Sequence, residues 1–168
     1  MRERTVTISG LSKTFSCTGW RLGYAIAPGD ISSPIRKVHD FLTVGAPAPL
    51  QAAGAIGMAF GTEYYNKMAM EYRERRDMMV SALSEAGFRF SAPEGAYYIL
   101  ADFTELSDLR GVEFALWLAK EVGVATVPGT SFYHHPKLGE MVTRFAFCKK
   151  KKTLEQAAER LAGITAKV

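Results

Sequence analysis

Cysteine is scarce, with only Cys17 and Cys148 in the chain. Neither stands in a CxxC pair or beside a histidine at metal-ligand spacing, so no metal site and no disulfide framework is expected. The two could close a single disulfide, but in a reducing cytosol they are expected as free thiols. Long apolar runs are also missing, which excludes a membrane-spanning helix. The opening "MRERTVTISG" alternates polar and apolar residues and lacks the apolar stretch of a signal peptide, so a cytoplasmic protein is expected. Charge of one sign is in short supply as well: the net is +4, and most of that excess could come from the run Lys149 to Lys152. Such a run reads as a solvated loop or the approach to a helix. No helix-turn-helix, zinc-finger or RNP-type aromatic pattern accompanies it, and nucleic acid is not an expected partner. There is no internal repeat and no other low-complexity tract.

What is present is a chain of 168 residues, 48% hydrophobic and 23% charged. That is enough for one domain with a core, or for part of something larger. Thr5 to Ile8 and Leu22 to Ala27 read as short buried strands flanking a loop. Ile35, Val38 and Leu42 recur at helical spacing, and Pro47 and Pro49 break that element before it restarts at "PLQAAGAIGMAF". Gly54 and Gly57 each cost that helix about 1 kcal/mol against alanine, which points to close packing against another element. A long helix follows, with Thr62 as its N-cap, Tyr65, Met68, Tyr72, Met79 and Leu83 along one side, and Gly87 as its stop. Beyond it come strands at about 88–91 and 96–103, a helix at about 112–122, strands at 124–127 and 141–148, and a final helix. Thr153 and Gln156 form a capping-box pair for that last helix, and Leu154, Ala158, Leu161 and Ile164 make its apolar stripe.

Three basic residues invite a chemical reading. In "MVTRFAFC", alternation puts Thr143, Phe145 and Phe147 on one face and Val142, Arg144 and Ala146 on the other. A guanidinium held mid-strand among small apolar neighbours keeps its charge, and its planar fork suits a carboxylate. The alternative is an edge-strand arginine that faces water or pairs with a protein Asp or Glu. Arg21 reads either as a phosphate anchor or as half of a surface ion pair, and Lys13 either as a functional amine or as an ordinary loop lysine. Their arrangement favours function: Lys13 sits in a loop between two strands, ringed by Ser12, Thr14, Ser16 and Thr18, with Arg21 just beyond. An amine so placed can condense with an aldehyde, and the hydroxyls and Arg21 could hold a phosphate close by. Together these describe a pyridoxal phosphate site.

The segment "SGLSKTFSCTGWRLGYAIAP" resembles the pyridoxal-phosphate attachment segment of the class I and II (fold-type I) aminotransferases. The resemblance continues through "HDFLTVGAPAPLQ", "PEGAYYIL", "VPGTSFY" and "TRFAFCKKKKTLEQAAERL". It implies that Lys13 is the Schiff-base lysine and proton shuttle, that Arg21 binds the cofactor phosphate, and that Arg144 holds the substrate α-carboxylate. Position 10 is glycine where many members carry a phosphate-binding serine, leaving Ser12 as the substitute. Cys17 replaces an aliphatic residue or methionine and reads as a packing residue.

The resemblance implies an α/β fold, α+β for this stretch. It comprises the end of the large-domain sheet (1–61), a connecting helix (62–87) and a small C-terminal domain (88–168) with a mostly antiparallel sheet packed by helices. It also implies a homodimer that moves an amino group between an L-amino acid and a 2-oxo acid, with neutral, aromatic or sulfur-containing amino acids favoured. Family members are more than twice this long, and the ring-stacking aromatic and the aspartate that pairs with the pyridine nitrogen belong to the part not represented here. The chain is therefore expected to be a C-terminal portion lacking full activity, with exposed strand edges and apolar faces around Lys13 and a tendency to self-associate. A ligand-sensing domain of a transcriptional regulator, an inert fragment, and a lyase or decarboxylase on the same scaffold are the other readings.

Overall fold

A computed structural model describes residues 1–164; residues 165–168 of the expected C-terminal domain lie outside them. The chain divides into two compact units, Met1–Tyr64 and the stretch from Tyr65 onward.

In the first unit, β1 (Thr7–Gly10) and β2 (Gly23–Ile26) form an antiparallel pair, with Thr7 opposite Ile26 and Gly10 opposite Gly23. Expected as buried, these strands are exposed along nearly their whole length. A two-stranded ribbon has no neighbouring strands to shield it, and burial begins only at Leu11 and Leu22, just outside the pairing. Helix α1 (Gly29–Thr43) carries Ile35, Val38 and Leu42 as expected, yet buries no residue. Helix α2 (Ala48–Met58) accommodates Pro49 in its first turn, where its missing N–H costs nothing. The close packing expected at Gly54 is present: a Cβ there would lie 2.8 Å from both the Leu11 and Leu22 side chains. Phe15, Phe60 and Tyr64 cluster beside it, and the Tyr64 hydroxyl donates to the Thr14 carbonyl at 2.7 Å.

Helix α3 (Thr62–Glu85) starts at the residue expected as its cap. It stops where Gly87 turns left-handed at φ 85°, with Phe88 N–H bonded to Leu83 O and Gly87 N–H to Ser84 O, a Schellman closure. In the second unit β3 (Tyr98–Asp102), β4 (Val127–Pro128) and β5 (Val142–Ala146) form an antiparallel sheet in the order β3-β5-β4. The strand expected at 88–91 reduces to a single bridge between Arg89 and Asp102. Helix α4 (Gly111–Trp117) widens into a π turn over Leu118–Val122.

The inner sheet face packs on Met79, Leu83, Phe88 and Phe114, and Phe103 stacks on Phe114 at 3.7 Å. Helix α5 (Lys151–Leu161) buries Leu154 and Leu161 in the same core, with Ala158 and Ile164 packed alongside. The expected capping box is not formed. The helix begins ahead of Thr153, whose own N–H already bonds to the Lys150 carbonyl, and no side chain caps it. Both cysteines are free thiols. Among the described residues no helix is long and apolar enough to cross a membrane.

Candidate functional site

Ser12, Lys13 and Arg21 all lie on the connection between β1 and β2, and local hydrogen bonds tie its ends together. Leu11 N–H donates to Leu22 O at 3.0 Å, closing the ladder at the loop's base. Within the loop, the Thr18 hydroxyl donates to the Ser12 carbonyl at 3.3 Å and the Cys17 thiol to the Leu11 carbonyl at 3.5 Å. Ser12 is half-buried, while Lys13 and Arg21 are exposed.

Arg21 takes a left-handed backbone, φ 52°, and Ser16 does so at φ 53°. For a residue other than glycine such a conformation costs about 1–3 kcal/mol, so the surrounding hydrogen bonds must hold it. The Arg21 Nη1 donates to the Thr18 carbonyl at 3.1 Å. No carboxylate among the described residues forms an ion pair with it, which leaves its positive charge open to an external anion. A reachable amine and an uncompensated guanidinium on one hydrogen-bonded loop fit a small aldehyde that carries a phosphate.

Beneath the loop is an apolar cavity of about 260 Å³ lined by Leu11, Phe15, Cys17, Trp20, Phe60 and Tyr64 among others. Cys17 thus sits among hydrophobic neighbours, in keeping with its reading as a packing residue. The cavity itself is a feature that sequence reasoning misses, because its walls come from segments distant in sequence.

Arg144 belongs to the second unit. It lies on β5, opposite Leu100 of β3 and Val127 of β4. The strand is central, so the edge-strand alternative fails. No carboxylate among the described residues pairs with Arg144, and its Nε is buried without a hydrogen-bond partner. A buried, unpartnered donor on a permanent cation is costly unless a ligand completes it. A carboxylate is the group whose two oxygens match that fork.

The Arg144 Cζ lies 4.5 Å from the Phe132 ring centroid and 5.1 Å from that of Tyr98. Sequence reasoning gives neither ring a role. Tyr98 is recoverable from strand register, since alternation places it on the face of β3 that Arg144 shares on β5. Phe132 arrives on a 3-10 turn, Gly129–Phe132, and has no periodic signal.

A family model described as aminotransferase class I and II matches residues 1–161. A methionine aminotransferase of Escherichia coli is 42% identical over 161 residues, an alignment covering 96% of this chain and 42% of that protein. A kynurenine–oxoglutarate transaminase of Dictyostelium discoideum is 34% identical, with 96% of this chain and 42% of the relative covered. Among solved structures, an Escherichia coli protein identified as a methionine aminotransferase superposes with a TM-score of 0.89 at 42% identity, over 96% of this chain and 42% of its own. The N-succinyldiaminopimelate aminotransferase of Mycobacterium tuberculosis gives 0.88 at 33% identity, over 98% and 43%. The chain spans 42% of the length of these first two curated relatives.

Proposed function

The chain belongs to the class I and II aminotransferases, and from that premise we propose that it carries the lysine, the phosphate anchor and the carboxylate arginine of a pyridoxal-phosphate-dependent transamination. Pyridoxal phosphate is the cofactor of this family. When bound, it supplies an electrophilic carbonyl and an electron sink for the bond broken at the substrate Cα. Lys13 holds the cofactor through its Nζ and, once released, carries the Cα proton. Arg21 neutralises the phosphate, with the Ser12 hydroxyl as a further donor. Arg144 offers its Nε–H and an Nη–H to the two oxygens of the substrate carboxylate, fixing the orientation of Cα. The observation that carries this reading is the buried Nε of Arg144, a donor that no group among the described residues uses.

The substrates in this reading are an L-amino acid and a 2-oxo acid. Neutral, aromatic or sulfur-containing amino acids are favoured, as supported by the methionine and kynurenine in the relatives' names and by the aromatic rings around Arg144. A cytoplasmic homodimer is part of the same proposal. A second reading, an inert fragment with neither cofactor nor turnover, is supported by the exposure of β1, β2 and α1, where the Lys13 loop has little buried surface behind it.

The test is to mix the chain with pyridoxal phosphate, reduce with borohydride and map the modified peptide, with Lys13→Ala alongside. A pyridoxyl group on Lys13 that is absent in the variant supports the assignment and justifies assaying amino transfer from methionine. Labelling spread over other lysines and unchanged in Lys13→Ala would refute it.

A further inference from the structure

A guanidinium on a long, rotamer-rich stem has to be held still if it is to present a fork to a carboxylate. The usual device is a protein carboxylate behind it, but that occupies the N–H donors the ligand needs. Arg144 is held differently: no described carboxylate pairs with it, its Nε is buried and unpartnered, and Phe132 and Tyr98 lie within cation–π reach at 4.5 and 5.1 Å. Aromatic rings attract a cation through its face and consume no N–H. They can fix the plane of the guanidinium while leaving its donor edge for the ligand.

The backbone that carries the nearer ring, Phe132, is itself tightly packed. It ends the turn that begins at Gly129, and that backbone is pressed against a second segment at Gly139. A Cβ on Gly129 would lie 2.6 Å from the Val142 carbonyl oxygen, and one on Gly139 would lie 2.4 Å from the Gly129 carbonyl carbon. Only glycine fits at either position, and Val142 is on the same strand as Arg144. Ring and cation are therefore carried on backbone segments in direct contact.

We propose that Phe132 is a positioning residue for carboxylate recognition, setting the orientation of the Arg144 fork through its π face with Tyr98 in support. The proposal rests on the assignment of Arg144 as the carboxylate-binding arginine. Phe132 is 43% exposed, so its replacement by leucine removes the π face with little loss of buried volume.

The experiment follows the Arg144 Nε–H resonance in the full chain labelled with 15N-arginine, assigned with Arg144→Lys, during titration with pyruvate as the carboxylate probe. Phe132→Leu and Phe132→Tyr are compared with the unaltered chain, and thermal unfolding is recorded for each. We expect pyruvate to shift the resonance in the unaltered chain and in Phe132→Tyr with similar affinity. Phe132→Leu should bind roughly three- to tenfold more weakly and exchange its Nε–H with water faster, at unchanged unfolding temperature. Equal affinity and exchange in Phe132→Leu would show that the ring only fills space and would overturn the positioning role while leaving the carboxylate assignment intact. No response to pyruvate in the unaltered chain would overturn that assignment and the positioning role with it.

Discussion

The two units bury their residues in opposite ways. In the second, Phe103, Phe114, Phe145 and Phe147 are all essentially inaccessible, and the sheet that carries Arg144 is backed by that core. In the first, Ile8 is 79% exposed, Phe41 92% and Val44 83%, and α1 buries nothing. Yet the first unit carries the lysine loop, held by hydrogen bonds between near neighbours in sequence, by the Tyr64 hydroxyl on the Thr14 carbonyl, and by small clusters around Gly54 and Phe15. Local geometry at Lys13 and Arg21 thus rests on the loop's own hydrogen bonds and a few contacts from α2 and Tyr64, whereas most of the deeply buried apolar side chains lie in the unit that carries Arg144. Apolar surface of this extent in water favours association.

Phe114→Ala tests the contrast most severely. It should cost about 3–5 kcal/mol in urea unfolding, because a stacked, fully buried ring is removed. The matched Phe41→Ala should stay within about 0.5 kcal/mol and should lower the apparent mass in sedimentation if α1 drives self-association. Equal losses from the two would erase the distinction between the units.

Gly54→Val sharpens it from the other side. With a Cβ already 2.8 Å from two leucine methyls, the change should cost about 1–3 kcal/mol by overpacking. That loss should be read as faster amide exchange between Leu11 and Leu22 while Phe145 and Phe147 stay protected.

A smaller effect is expected at alkaline pH. Burial first, and Cys148 second, push the Tyr72 phenol above its ordinary value of 10.0, against the opposing pull of Arg75. Below that value the phenol is neutral both folded and unfolded, so its contribution is intact. As pH rises the unfolded chain ionises first, and stability falls until the folded value is passed. Unfolding temperature should therefore start to drop as pH rises through about 10, and Tyr72→Phe should flatten that part of the profile. The smallest change belongs to Glu71→Gln, which breaks a half-exposed pair with Arg75 at 3.0 Å and should shift stability by about 0.5 kcal/mol or less.

Much of this was readable from sequence where the signal is local. The glycine stop at 87, the proline restart ahead of α2 and the close approach at Gly54 each follow from one residue's conformational limits. The apolar side of α3 follows from spacing. Burial of β1 and β2 was not readable, because an apolar run such as "LGYAIA" has the same pattern whether its strand lies inside a wide sheet or in an open ribbon. The start of α5 was misplaced because Thr153 and Gln156 satisfy the capping-box spacing from inside the first turn as well as from its edge. At the candidate site, Lys13 and Arg21 stand out through their unusual surroundings, and Arg144 through its mid-strand position. Phe132 does not, since its approach to Arg144 depends on two glycine contacts between segments that follow no period.

The left-handed backbone at Arg21 carries a consequence for anyone who would redesign this chain. Glycine at that position would relieve the conformational cost and remove the guanidinium in the same step. A screen that rewards melting temperature alone should therefore enrich glycine or asparagine at 21 and return sturdier chains that lack the proposed phosphate anchor. Thermal robustness and the proposed anion capture would compete for a single codon, and any selection on this loop has to score both.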